Sequence, residues 1–184
     1  MTLPIVAFGN PILRSKCQNI SADYPGLIDL LSNMWETMYQ ANGVGLAAPQ
    51  INKSIRLFLI DTTPFKDDEE ISNDQIVKKV FINPILIEES GEEWSFNEGC
   101  LSIPDIREDV IRNSTITISY FDENFKKHTD VFDGLVARVI QHEYDHINGV
   151  LFVDKISTLR KRMIKGKLKD ITKGNVKVSY KMRF

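Results

Sequence analysis

His142-Glu143-Tyr144-Asp145-His146 constrains this chain more than any other stretch. Two imidazoles stand four residues apart, with a carboxylate directly after the first. On a helix, a four-residue step returns to the same face about 6 Å further along the axis. Both rings can then reach one metal ion, and Glu143 lies close enough to move a proton of metal-bound water. The plainer alternative is an exposed polar helix that happens to carry two of the chain's three histidines. The pattern makes a metal-dependent hydrolase the first expectation.

The flanks say how that helix sits. Gly134–Ile147 reads as a helix with Asp133 at its cap and Leu135, Val136, Val139 and Ile140 on one apolar stripe. His142 and His146 continue the stripe, so a metal would face the core, and Asn148-Gly149 ends the helix. Pro25–Ala41 reads as an earlier helix, with Ser21 or Asp23 as cap, Pro25 in its first turn, and Met34 and Met38 as core residues. Ile55–Asp61, Val80–Ile87 and Thr115–Phe121 read as strands, and His128–Phe132 is expected to pair with the last through a turn at Glu123-Asn124. Asp67–Glu70 and Ser72–Asp74 read as a polar surface loop. Ser157–Ile171 looks like a basic helix and Val176–Tyr180 alternates like a closing strand. With no repeat and no linker, the order predicts a single α+β domain over residues 1–184, its antiparallel or mixed sheets packed around the second helix.

Composition removes several classes. The chain has 184 residues, 42% apolar content and a net charge of −2, which suits a soluble globular domain. No stretch approaches the ~18 apolar residues of a membrane span. The first residues lack the basic leader and apolar run of an exported chain, so a cytoplasmic location with Cys17 and Cys100 reduced is expected. Charge is uneven: of 23 Lys and Arg, 11 lie from Lys155 onward, against one acid, Asp170. This basic extension is either a solvated helix face or a contact for a polyanion such as RNA.

Two imidazoles need a third protein ligand, with one position left open for water. After His146 there is no Glu, His or Cys, only Asp154 and Asp170, and Phe152 stands where the long metalloprotease motif has a histidine. The ligand therefore comes from upstream or is Asp154. Upstream, Cys100 lies in Glu98-Gly-Cys-Leu-Ser102, where Gly99 permits close backbone approach. Cys17 has no such setting and reads as a buried small hydrophobe.

A third segment, Gly43-Val-Gly-Leu-Ala-Ala-Pro-Gln50, follows the first helix. Taken with Glu98-Gly-Cys-Leu-Ser102 and Gln141-His-Glu-Tyr-Asp-His146, it makes the chain resemble the peptide deformylase family from about Phe8 to about Lys155. The resemblance implies removal of the formyl group from formyl-methionine at the start of new polypeptides, with release of formate. It implies Cys100, His142 and His146 as ligands of one divalent metal, Fe(II) in the cell, with Zn, Ni or Co tolerated. Hydroxide on that metal would attack the formyl carbonyl, with Glu143 as general base and then acid. Gln50, through its side-chain amide, and Leu101, through its backbone N–H, would donate to the oxyanion. Gly45 and Gly99 would offer backbone contacts to an extended peptide, Val44, Leu135 and Val139 a methionine pocket, and Arg107 its rim. Arg138 departs from the family pattern, which commonly has an apolar residue there. Either its guanidinium points to solvent over a buried stem, or it borders the pocket and alters its preference. His128 has no motif around it. Expected partners are N-formyl-methionyl peptides and, through the basic extension, the ribosome, with no membrane and no DNA. Two rivals remain in view: a metallopeptidase cutting internal amides, and an RNA-docking module with a structural metal.

Overall fold

Along Leu57–Asp61 every side chain is buried, although a strand sends successive side chains to opposite faces. The computed structural model, which describes residues 1–66 and 76–184, shows how. Leu57 and Leu59 belong to one apolar cluster with Met34, Met38 and Leu46, while Phe58 and Ile60 belong to another with Phe81, Val136 and Ile140. A strand covered on both faces needs an unbroken apolar run, and this segment has one.

In chain order the elements are β1 (Ile5–Val6), α1 (Leu27–Gln40), β2 (Gly45–Ala47), β3 (Leu57–Asp61), β4 (Lys78–Cys100), β5 (Ile103–Phe121), β6 (Lys127–Asp133), α2 (Gly134–Ile147), α3 (Thr158–Thr172) and β7 (Met182–Arg183). Strands β2 to β6 form an antiparallel sheet in that order, and β1 pairs parallel with β7. Helix α2 packs against β2, β3, β5 and β6, which makes it the centre of a single α+β domain. No helix among the described residues is long and apolar enough to cross a membrane.

Strands β4 and β5 make one long hairpin with its tip at Leu101-Ser102. The expected strands at Val80–Ile87 and Thr115–Phe121 are only the apolar ends of these two. The rest looks polar because one face meets solvent and the buried face carries Glu98, Glu108 and Arg112. The hairpin register shifts at four places, the last between Gly99 and Cys100. Such irregularities bend and twist a strand, so this one turns where it delivers its thiol.

Other expectations meet mixed outcomes. Met34 and Met38 are fully buried core residues. The turn before β6 forms, with Asp122 accepting from the Asn124 and Lys126 N–H groups. Helix α1 starts later than expected, at Leu27, with Gly26 as its cap at φ +70°. Ser21 and Asp23 bond to each other instead, which removes both from capping. Val176–Tyr180 is not a strand. Its alternation of half-buried and exposed side chains is present, but the strand that closes against β1 is β7, slightly further on. The polar loop expected at Asp67–Asp74 lies outside the described residues.

Candidate metal centre and substrate cleft

Helix α2 ends where Gly149 takes φ +76°, against the Arg14 carbonyl; a Cβ there would lie 2.8 Å from the Arg14 carbonyl carbon. This stop keeps His146 within the last turn of α2. Its inward face brings His142 and His146 to the tip of the β4–β5 hairpin. The ligand atoms of Cys100, His142 and His146 lie within 4.8 Å of one another, with Cys100 Sγ 3.2 Å from His146 Nε2. The set suits a metal ion in its chemistry as well as its spacing. His142 Nδ1 donates to Glu98 Oε2 at 2.9 Å, which turns Nε2 toward the cluster. Burial drives the His146 imidazole well below its ordinary value. At His142 the bonds to Cys100 and Glu98 outweigh burial and hold the imidazole well above its own, so a bound ion would take the place of a proton there. A thiolate and two imidazoles are compatible with Zn(II) or Fe(II) and leave a tetrahedral position open.

Glu98 organises the surroundings and was not assigned a role from sequence. One oxygen accepts from Arg112 Nε at 2.7 Å and Arg138 at 2.9 Å; the other accepts from Arg112 at 3.0 Å and from His142. Burial alone would push this carboxyl up, but the bonds from His142 and Arg112 outweigh it and hold Glu98 far below the usual carboxylate range. Arg112 reaches on to Asp145 Oδ2 at 2.7 Å, tying the hairpin to α2 a second time. A signal existed: Ile106, Glu108, Val110 and Arg112 share one parity, and all four are buried. Charges on an inward parity imply partners.

Glu143 is 4% exposed, and burial pushes its carboxyl up to about 7. Its Oε2 has no partner among the described residues. A Cβ on Gly45 would run into this carboxylate, so only glycine lets β2 approach so closely. Gln50 is fixed in orientation. Its Oε1 accepts from the Ala47 N–H at 2.8 Å, which turns its NH2 toward Cys100 Sγ at 3.5 Å and Ser102 Oγ at 3.3 Å.

A cleft of about 620 Å³ opens over these groups. Val44, Gly45, Gln50, Gly99, Cys100, Leu101, Arg107, Leu135, Val139, His142 and Glu143 all border it; His146 lies behind. Arg107 bonds to Asn97 and covers Gly99, where a Cβ would lie 2.8 Å from its guanidinium. Arg138 borders the cleft, the second of its two expected placements, and the alternative of a solvent-facing guanidinium does not hold. The residue is 1% exposed, donates to Glu98, to the Val110 carbonyl at 2.9 Å and to the Trp94 carbonyl at 2.7 Å, and lies 4.6 Å from the Trp94 ring centre. The buried acid beside it made an inward arginine tenable. Lys177, Val178, Ser179 and Tyr180 also border the cleft, unforeseen because nothing local marks contacts made across the whole chain. Cys17 is a free, buried thiol packed with Phe58 and Ile147, and His128 bonds to Asp122 in the β5–β6 turn.

Comparison with known proteins agrees with this geometry. The sequence pattern of the polypeptide deformylase family matches residues 2–162, leaving 163–184 beyond the matched stretch. The chain is 59% identical to the peptide deformylase of Christiangramia forsetii and 59% identical to that of Flavobacterium johnsoniae, covering 100% of this chain and 96% of each relative. Among solved structures, it is similar to a peptide deformylase from Legionella pneumophila, with TM-score 0.82 and 35% identity over 95% of this chain and 98% of that one. The motifs, the fold around α2 and these likenesses agree, and the chain belongs to the polypeptide deformylase family.

Proposed function

We propose that this chain removes the formyl group from formyl-methionine at the start of newly made polypeptides, by metal-dependent hydrolysis to formate and a free amine. One observation carries the reading: a buried carboxylate, Glu143, whose Oε2 has no partner among the described residues, beside a Cys-His-His cluster at the floor of an open cleft. Cys100, His142 and His146 would hold one divalent ion, Fe(II) in the cell, with Zn, Ni or Co able to replace it. When bound, the ion supplies Lewis acidity toward water and the formyl oxygen.

The rest of the chemistry belongs to the chain. Glu143 takes a proton from the attacking water and returns one to the departing amine, a role that its buried place beside the cluster suits. As the formyl oxygen gains charge, the Gln50 amide and the Leu101 N–H donate to it. Such donors are worth roughly a hundredfold or more in rate. Strand β2 lies at the edge of its sheet, so an extended peptide can add beside Gly45 and meet Gly99 across the cleft. Val44, Leu135 and Val139 form the pocket for the methionine side chain, with Arg107 at its rim. Arg138 brings no free charge to that pocket because Glu98 already balances it.

The exposed lysines and arginines of α3, among them Lys161, Arg162 and Lys165, support a contact with the ribosome, the source of the substrate, and the reaction suits the cytoplasm. Formate release from formyl-Met-Ala-Ser tests the reading. The chain should act on this peptide and leave the unformylated peptide intact. Cleavage of internal amides, with no formate, would make it a peptidase instead.

A further inference from the structure

Leu101 and Ser102 form the hairpin tip directly after the Cys100 thiol. Among the described residues, two hydrogen bonds from outside the hairpin hold the backbone of this tip, beside the Gln50 bond to the Ser102 hydroxyl. The Phe8 N–H donates to the Ser102 carbonyl at 2.8 Å, and the Tyr180 hydroxyl donates to the Leu101 carbonyl at 2.8 Å. Tyr180 ends a strap that leaves α3 and runs along the cleft. The strap is anchored at both ends. Before it, Ile171 of α3 is buried; after it, β7 pairs with β1, where the Ile5 N–H donates to the Lys181 carbonyl at 2.9 Å and the Ala7 N–H to the Arg183 carbonyl at 2.8 Å. The chain leaving β1 continues to Phe8, so segments on either side of the β1–β7 pair grip adjacent residues of the tip. On its other side Leu101 packs on Gly43, where a Cβ would lie 2.8 Å from Leu101 Cδ1.

We propose that Tyr180 is a positioning residue for deformylation: its hydroxyl holds the Leu101 backbone so that the Leu101 N–H faces the formyl oxygen. The inference rests on the reading of Leu101 as an oxyanion donor. A donor aids the reaction only if it is aligned before charge develops. A short turn between two strands can rock, and the Leu101 N–H and carbonyl lie in adjacent peptide planes hinged at one Cα, so holding the carbonyl narrows the range open to the N–H. Fixing the carbonyl from a rigid strap removes that motion. The strap lies beyond the stretch that matches the family pattern, so the support for the motif comes from outside that stretch.

The test is steady-state kinetics of Tyr180→Phe in the full-length, metal-loaded enzyme, with melting temperature and metal content measured on the same sample. Wild-type formate release first establishes the underlying reaction; its absence would sink that reading rather than this one. With wild type active, the expected result is a kcat about tenfold lower, KM within about twofold, and melting temperature and metal content unchanged. A kcat within about twofold of wild type overturns the proposal. So does a loss of activity that tracks lost metal or lost stability, which makes Tyr180 structural only. A raised KM at constant kcat also overturns it, because the strap would then read the peptide instead of holding the tip.

Discussion

The α2 face at the hairpin tip and the segment after Lys155 carry charge in opposite ways. At the tip, Glu98, Arg112 and Arg138 are almost wholly buried, and each is bonded to named partners. Along α3, Lys161, Arg162, Lys165, Lys167 and Lys169 stand in solvent. A buried charge has few tolerable arrangements, so the first region fixes the direction of His142 and the join between β4, β5 and α2. An exposed charge acts at long range and is nearly interchangeable with its neighbours. The first region can hold a reaction centre; the second can attract a polyanion and anchor a strap.

The largest effect that sharpens this contrast is loss of the Glu143 carboxylate. Glu143→Ala should lower formate release by about a thousandfold while metal content holds and the fold remains. Near-normal turnover would remove Glu143 from the chemistry. Arg112→Met comes next. It leaves Glu98 and Asp145 short of a partner in a buried site, and melting or denaturant titration should show a loss of about 3 to 5 kcal/mol. Metal affinity should fall about tenfold or more as His142 loses its fixed support. A variant as stable as wild type would mean that the network is not what joins hairpin to helix.

Arg160→Ala probes the other region. Arg160 forks onto Glu108 at 2.7 and 2.8 Å, but its side chain is half exposed. A fall in melting temperature smaller than that of Arg112→Met is expected, with kcat and KM unchanged. The smallest effect is acid loosening at the start of the C-terminal segment. Burial pushes the Asp154 carboxyl up, but the Arg14 guanidinium and the Leu151 N–H outweigh it and hold it below its ordinary value. A depressed carboxyl contributes stability above its unfolded value and loses it as pH falls through the folded one. Melting temperature should therefore decline below about pH 4, and less steeply in Asp154→Asn.

Legibility in the sequence divides along the same line. The spacing of His142 and His146 marks a helix with both rings on one face, and the structure brings them to Cys100 in a cluster that could hold a metal ion. The apolar run of β3 and the methionine stripe of α1 were equally plain. The strap was not, since Val176–Tyr180 alternates like a strand and only long-range geometry denies it a ladder partner. Arg138 is open to two placements in the sequence because an arginine on a helix is usually solvated. Its partner, Glu98, stands in the same motif as Cys100, where the sequence marks it only as a flank to the thiol. The inward parity of Arg112 went unread because charge hid the strand that carries it.

A thiolate from the hairpin tip and two imidazoles of α2 are expected to hold one ion and leave a place for water. X-ray absorption at the metal edge of anaerobically cobalt-loaded protein tests it directly, with Cys100→Ala alongside. One sulfur and two imidazole nitrogens are predicted, with the sulfur signal lost in the variant. A metal without sulfur, or one closed by a fourth protein ligand, would contradict the account.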